Sequence, residues 1–237
     1  MPTNLETLQD LSGARAGGGP RTLSGATFDG AVFPRFLVGP GVPPDACVSI
    51  IDSTFGNCVI EGRFRVAPGS IIENVSFDAT RIDEMMIFNC ESVLSGLVLK
   101  GGRECGGLWV KPSASMTPAV AQATAAAKAW AQSRWDAIPC MIDFSEFDPQ
   151  QVEVVGLPLE KLRWNKSRHV AISHARLRVD VLDAMGLPAG NFWWHKLRAL
   201  QLFRASEGIF SLPREDQDNH TDVMRQRDEL LRAGVLC

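Results

Sequence analysis

The feature that most constrains this 237-residue chain is a 22-residue repeat that runs from Arg21 to Ser113. Each repeat opens with three five-residue units whose central residue is apolar, and a seven-residue remainder completes it. The central residues are Leu23, Phe28, Phe33, Ile50, Phe55, Ile60, Ile72, Phe77, Ile82, Leu94, Leu99 and, as the exception, Glu104. A fixed period of this length predicts stacked units that bury a common core only together.

The repeat has two irregularities that mark its limits. The first repeat is longer than the others, because five extra residues from Pro43 to Cys47 precede the return of the phase at Val48. At the other end, the charged Glu104 stands at an inward position among several glycines. We expect the last turn to lose its regular structure there, close to a boundary near residue 113.

A second pattern concerns the residue two positions before a centre, which is small at seven of the eleven apolar centres. This position holds Ala26, Ala31, Ser53, Cys58, Ser70, Thr80 and Ser92. Alternate residues of an extended segment face the same side, so the small and the central residue both point inward. With this pattern, residues 21–113 resemble the pentapeptide-repeat family, which implies a right-handed, four-sided parallel β-helix. The seven-residue fourth side departs from that family and implies a bulged or more regular strand there.

A left-handed hexapeptide β-helix is the competing architecture, because VAPGSIIENVSF is similar to fragments of acyltransferase hexapeptide repeats. Coils of that kind repeat at multiples of six residues, and 22 is not such a multiple. The period therefore favours the right-handed, pentapeptide-like form with about four coils.

Beyond residue 113 the hydrophobic period becomes helical, and start and stop signals predict helices at 118–135, 149–156, 167–185, 191–205 and 220–233. The predicted fold class is therefore α+β, with a β-helix followed by an α-helical region packing on or beside it. We divide the chain into a flexible lead-in at 1–20, the β-helix at 21–113, and a helical domain or cap at 114–237.

Composition excludes several classes of function. With 45% apolar and 22% charged residues and a net charge of −3, the chain lacks the basic excess expected of nucleic-acid binding. No run of 18 apolar residues predicts a membrane span, so we expect no membrane partner. The N-terminus does not resemble a secretory signal. The six cysteines are not spaced in close pairs, so we expect reduced thiols and a cytoplasmic location.

Catalytic motifs are weak, and no metal or cofactor motif is present. Cys140 and His169 are the only candidates for catalysis, and a buried structural role is the simpler interpretation of both. Candidate binding residues come from three places: Trp164, Arg168 and Arg176 from a basic cluster; Asp216 and Asp218 from an acidic segment; and Trp194 from a tryptophan pair. The simpler interpretation of both charged groups is a solvated surface.

Two hypotheses of function remain. The first is a protein-binding scaffold, such as an inhibitor or a bacterial immunity protein that neutralises a partner toxin or enzyme. The family that this pattern resembles also includes DNA mimics. Four coils are too short for such a mimic, and a net charge of −3 is too small to produce its strong negative electrostatic field. The alternative is a secreted bacterial effector or transferase that uses the β-helix for recognition and a Cys/His site in the helical region.

Overall fold

Parallel strands dominate the structure, a computed structural model that describes residues 21–39, 47–113 and 118–236. The chain has a mixed α+β fold with extensive parallel sheets. Three sequence predictions lie wholly or partly outside the described residues: the lead-in at 1–20, the insertion at 43–47 and the junction at 112–117.

Sheet 1 is built largely from the first two units of each repeat. Its strands are β1 (Arg21–Ser24), β2 (Thr27–Asp29), β5 (Val48–Gly56), β8 (Ser70–Asp78), β11 (Val93–Ser95), β12 (Leu97–Gly101), β14 (Ile142–Phe147) and β16 (Leu162–Trp164). All pairings in sheet 1 are parallel, in the order β1–β5–β8–β12–β14–β16, with β2 beside β5 and β11 beside β8.

The other two sheets come from the rest of each repeat. Sheet 2 takes the third unit and contains β3 (Val32–Phe33), β6 (Val59–Ile60) and β9 (Arg81–Ile82). Sheet 3 takes the seven-residue remainder as β4 (Phe36–Val38), β7 (Phe64–Val66), β10 (Met86–Asn89) and β13 (Leu108–Lys111). Three strands from beyond the repeats extend it: β15 (Val152–Val155), β17 (His169–Ser173) and β18 (Glu207–Ser211). In sheet 3, β18 pairs antiparallel with both β15 and β17, while the earlier strands are parallel.

The strand register confirms the repeat length. Val48 pairs with Ser70, and Phe64 pairs with Met86, each 22 residues further along the chain. Arg21 pairs with Val48, which is 27 residues away. The five additional residues of the first repeat are thus accommodated without loss of register in sheet 1.

The core of the repeats also follows the sequence pattern. All eleven apolar central residues are buried, and Phe55 stacks between Phe28 and Phe77 at ring-centre distances of 5.1 and 4.6 Å. The side chain of Glu104 is 73% exposed instead. No strand of the described chain follows β9 in sheet 2, so the regular third side ends where the sequence predicted.

The chain turns sharply between successive five-residue units, and the small residues two positions before the centres lie next to these turns. Asp52, Asn57, Asn74 and Ala79 each adopt left-handed backbone angles with φ near 50° two residues after a centre, which turns the chain at the end of each unit. The Thr80 hydroxyl, one position beyond such a corner, donates a hydrogen bond of 3.0 Å to the Phe55 carbonyl of the preceding repeat. The small polar side chain of Thr80 thereby satisfies a backbone oxygen inside the core.

Helices form only part of the C-terminal region. They are α1 (Pro118–Gln132), α2 (Val179–Ala184), α3 (Phe192–Phe203) and α4 (His220–Arg232). Of the predicted helices, those at 118–135, 191–205 and 220–233 are confirmed, and the side chain of Asn191 caps α3 by accepting a hydrogen bond from the Trp194 amide.

The predicted helices at 149–156 and 167–185 are wrong, and so is the prediction that the region after residue 113 is purely helical. The segment 149–156 contains β15, and within 167–185 only Val179–Ala184 is an α-helix while β17 occupies His169–Ser173. These strands are short buried runs, for which periodicity does not distinguish a strand from a helix segment. Their identity depends on pairing with partners distant in sequence.

The parallel stacking also continues past the predicted boundary at residue 113. Ile142 of β14 pairs with Leu97, and Val152 of β15 pairs with Leu108, after α1 has intervened. Ala131 of α1 belongs to the core of the repeats, so the helix packs directly on that core. Residues 118–236 are therefore continuous with the repeat sheets.

A second hydrophobic core lies on the other side of sheet 3. Alternation along its last strands directs Val154 and Ile209 to the repeat core, and Val155 and Phe210 to the second core. Helices α2, α3 and α4 contribute a further part of this second core, namely Leu182, Trp193, Leu197, Leu200, Val223 and Leu230. None of the helices described is both long and apolar enough to cross a membrane.

Candidate functional site

Sheet 1 ends at β16, beside which the described part of the chain places no further strand. β16 pairs with β14 on its other side, with Leu162 opposite Ile142 and Trp164 opposite Phe144. An edge strand presents backbone groups that a further strand can bind. The side chains of this edge therefore determine what can approach it.

An aromatic side chain flanked by cations occupies this edge. Trp164 is half-buried and packs against the repeat core. The Lys166 ammonium lies 5.9 Å from the centre of the Trp164 ring, and the Arg163 side chain is 70% exposed. Arg163 lies 3.7 Å from one carboxylate oxygen of Asp143. We refer to Arg163, Trp164 and Lys166 as the β16 edge.

Two more half-buried tryptophans pack on the same core in the segment that leads into β14. Trp130 lies in α1, and Trp135 begins a short 3-10 turn, Trp135–Ala137. The Arg134 guanidinium lies 4.4 Å from the centre of the Trp130 ring and donates a hydrogen bond of 3.1 Å to the Trp130 carbonyl. The segment that precedes β14 thus contains a second contact between a tryptophan ring and a cation, like that of Trp164 with Lys166.

Arg168 lies near the β16 edge in sequence but has an internal partner. Its guanidinium is 3.1 Å from the Asp148 carboxylate, which Arg214 also approaches at 3.6 Å. Arg214 further donates to the carbonyl oxygens of Asp148 and Pro149, at 3.2 and 3.0 Å. These contacts tie the loop after β14 to the loop after β18, so much of the charge of Arg168 is neutralised locally.

His169 is buried beside this ion-pair network. Its ring centre lies 5.6 Å from that of Phe144, and its Nδ1 has no hydrogen-bond partner within the described part of the chain. Burial, together with the nearby charge of Arg168, lowers the pKa of His169 to about 4, although the Asp148 carboxylate opposes this shift. The imidazole is therefore neutral at neutral pH and packs as part of the core.

Cys140 is half-buried just before β14. Burial raises the pKa of its thiol and the Asp143 carboxylate adds to this, whereas the charge of Arg163 opposes it. No hydrogen bond joins this thiol to a histidine in residues 21–39, 47–113 or 118–236. A nucleophilic thiolate is favoured by a lowered pKa, so this environment does not activate Cys140.

The other predicted binding residues lie away from the β16 edge. Trp194 packs on the second core, and its indole nitrogen donates a hydrogen bond of 3.3 Å to the Leu187 carbonyl. Arg176 is exposed in the turn after β17, and Asp216 and Asp218 are exposed in the loop between β18 and α4. The structure thus divides the predicted binding residues among several surfaces, and their roles in binding stay predictions.

One polar cluster was missed by the sequence analysis. The Lys111 ammonium lies 2.9 Å from the Glu153 carboxylate and 3.8 Å from the centre of the Trp109 ring. Lys196 of α3 lies 4.8 Å from the ring centre of Phe192. Alternation with the buried Leu108 and Val110 could have placed Trp109 and Lys111 on the outer face of β13. The helix that covers this face could not be assigned from that pattern.

No group of three or more His, Cys, Asp or Glu side chains in the described ranges could hold a metal ion. Compared with protein-family models, curated proteins and solved structures, the chain has no significant match. The function must therefore be inferred from the geometry of the chain itself.

Proposed function

We propose that this protein is a scaffold that binds another protein, and that the β16 edge is its contact surface. The observation that carries this proposal is a terminal strand of sheet 1 on which a half-buried tryptophan stands beside two cations. Tryptophan and arginine supply much of the binding energy of protein interfaces. An edge strand adds main-chain hydrogen bonds to an extended partner segment.

The charges of this surface indicate what its partner presents. Arg163 and Lys166 carry two positive charges, and Asp143 is the carboxylate within 4 Å of Arg163. The excess of one positive charge favours a partner segment with an acidic side chain next to an apolar one. The apolar side chain would cover the exposed part of Trp164, and the acidic one would pair with Arg163 or Lys166.

We infer that the three sheets are the sides of a right-handed β-helix of the pentapeptide type. The proposal is supported by the 22-residue register and by the inward small residues that precede the centres. The seven-residue remainder forms regular strands in sheet 3 and would be its fourth side. Such a stack is a rigid support for a binding edge.

Within this class, we propose an inhibitor or a bacterial immunity protein that neutralises a toxin or an enzyme. A preformed edge of this kind can block a partner without chemistry of its own. Among the described residues, Cys58, Cys90, Cys105 and Cys140 are free thiols, which supports a reducing compartment such as the cytoplasm. The effector or transferase alternative needs an activated nucleophile, and the raised pKa of Cys140 argues against one at that position.

The test is site-specific crosslinking from the β16 edge in cells of the native host. A photo-crosslinking residue at position 163 is expected to trap one discrete protein, whereas the same residue at position 65 is not. Arg65 is a matched control because it is exposed on β7, in the interior of sheet 3. The trapped protein, once purified, should bind the chain at 1:1 stoichiometry.

Variants then separate binding from catalysis. Trp164→Ala is expected to weaken the complex by about tenfold to a hundredfold, in line with about 1.4–2.8 kcal/mol for a central interface residue. Arg65→Glu, Cys140→Ser and His169→Phe should leave the affinity unchanged. Equal crosslinking from positions 163 and 65 would contradict the proposal. So would loss of biological effect in Cys140→Ser while Trp164→Ala retains it.

A further inference from the structure

A cavity of about 370 Å³ lies between helix α3 and the two loops that precede β15 and follow β18. Its lining is mostly polar and includes Gln150, Gln151, Phe192, Lys196, Gln217 and Asn219. This volume falls within the range of about 300–1,000 Å³ that is typical of small-molecule sites. The cavity is separate from the β16 edge, because it lies on the outer side of sheet 3.

Among the residues that the structure describes, Lys196 is the one cation that lines this cavity. Its side chain is half-buried, and its ammonium lies 4.8 Å from the ring centre of Phe192 and 5.3 Å from that of Phe210. Within the described residues, this ammonium has neither a hydrogen bond nor an ion pair within 4 Å. The aromatic rings therefore make the direct contacts that compensate its charge.

The nearby carboxylate is already engaged elsewhere. Glu153 bonds to Lys111 at 2.9 Å, and both side chains are less than one fifth exposed, at 15% and 18%. Burial lowers the pKa of Lys196, with Glu153 opposing this effect and Lys111 adding to it. Because Lys111 and Glu153 neutralise each other, the charge of Lys196 at the cavity wall is left in excess, and burial without a counter-ion makes that charge costly.

The remaining lining is suited to an anion. The side-chain amides of the three glutamines and Asn219 supply N–H donors. Helix α4 begins at His220, directly after Asn219, so the positive end of its dipole lies beside the cavity. Phe192 supplies an apolar wall next to Lys196.

We propose that this cavity binds a small organic anion, a carboxylate or a phosphate ester, whose charge pairs with Lys196 and whose apolar part contacts Phe192. Binding would supply the counter-charge that the protein lacks at this position. The amide side chains would hold the remaining oxygens of the ligand. The proposal is independent of the protein-binding function of the β16 edge.

The experiment is an NMR titration of the isotope-labelled chain at constant ionic strength. Benzoate and phenyl phosphate are the probes, acetate and inorganic phosphate test the contribution of the apolar part, and chloride is the control. We expect saturable shifts of the Gly106, Gln151 and Ser211 amides with both aromatic anions. The acetate and phosphate titrations should saturate at higher concentration, and chloride should produce no saturable shift.

Substitutions at Lys196 decide the assignment. Lys196→Met should weaken binding by at least about tenfold, which is the loss expected when one charge pair of about 1.4 kcal/mol is removed. Lys196→Arg should retain binding. Lys100→Met, at a partly exposed lysine of β12 outside the cavity lining, is the matched control and should bind as the unmodified chain does.

Two results would overturn the proposal: no saturable shift of the cavity amides with either aromatic anion, or equal affinity in Lys196→Met and the unmodified chain. The spectrum of each variant reports whether it is folded. If Lys196→Met does not fold, Lys196→Gln replaces it, because it keeps a polar group in the same space, and the same two results apply.

Discussion

The repeat region and the C-terminal region bury their strands by different rules. In the repeats, each strand pairs with the equivalent strand of the next repeat, so one register of 22 residues specifies many contacts. In the C-terminal region, β18 pairs antiparallel with β15 and β17, and no other part of the described chain repeats this arrangement. Strand pairing that repeats with a fixed register can therefore be predicted from the sequence, whereas a strand pairing that occurs once cannot.

The two regions nevertheless share one core. Ile142, Phe144, Val152, Ala171 and Ile209 come from the C-terminal region and belong to the same buried cluster as the repeat centres. Sheet 3 also carries the second core on its opposite face. We therefore expect the two regions to unfold together, although their strands pair by different rules.

Deleting one large side chain from each core has the largest expected effect on stability. Phe55→Ala and Trp193→Ala should each lower the free energy of unfolding by about 3–5 kcal/mol, because both side chains are fully buried. Urea denaturation followed by circular dichroism and tryptophan fluorescence measures the loss. In a shared cooperative unit, both probes report one transition in both variants.

A second transition in Trp193→Ala alone would show that the C-terminal region unfolds separately. In that case the shared core would not make the two regions unfold cooperatively, and a domain boundary near residue 113 would be supported. An exposed position in each region provides the control for this pair. Arg65→Ala and Leu202→Ala should change the free energy of unfolding by less than about 0.5 kcal/mol.

Protonation of His169 is the next largest effect and belongs to the C-terminal region alone. The pKa is about 4 in the folded chain and about 6.5 in the unfolded chain, so the unfolded chain binds more protons between these values. The contribution of His169 to the free energy of unfolding is therefore fully present above pH 6.5. It is lost as the pH decreases toward 4, by about 3 kcal/mol in total.

Denaturation midpoints at several pH values measure this slope. His169→Phe should remove the contribution of His169, because a phenyl ring can pack against Phe144 and cannot bind a proton. His174→Gln, at an exposed position, is the matched control and should keep the slope of the unmodified chain. An unchanged slope in a folded His169→Phe variant would show that other groups cause the acid sensitivity.

The sequence predicted the repeats far better than the C-terminal region for a physical reason. At Phe28, Phe55 and Phe77, the apolar side chain, its neighbours and its partner in the next repeat all follow from a single period. At His169 the sequence favoured a helix, because local periodicity contains no information about the antiparallel partner at Ser211. Helix α3 was predictable because its apolar face and its cap at Asn191 are both local.

The candidate surface was predictable only in its components. Trp164 stood out by residue type within the basic cluster, but its position on a terminal strand depends on the pairing of β16 with β14. The basic cluster likewise included Arg168, whose partner Asp148 is twenty residues earlier in the sequence. The contact between Lys196 and Phe210 joins two elements whose packing no local pattern indicates.

A smaller effect tests the corners of the repeats. Thr80→Val removes the hydroxyl that donates to the Phe55 carbonyl while keeping the shape of the side chain. We expect a loss of about 1 kcal/mol in the free energy of unfolding, the usual contribution of one buried hydrogen bond. Thr22→Val, at an exposed position of β1, is the control and should be nearly neutral. Equal values for the two variants would remove the explanation offered for the small inward residues.

The smallest effect is expected in the acidic loop between β18 and α4. Asp216 and Asp218 are exposed, and neither has an ion pair among the described residues, so the double change to Asn should alter the free energy of unfolding by less than about 0.5 kcal/mol. Affinity for the protein trapped at the β16 edge should also stay constant, because the loop lies in a different part of the fold. A marked loss of affinity with unchanged stability would instead place the contact surface on the loop between β18 and α4, which belongs to the part of the fold built around the second core.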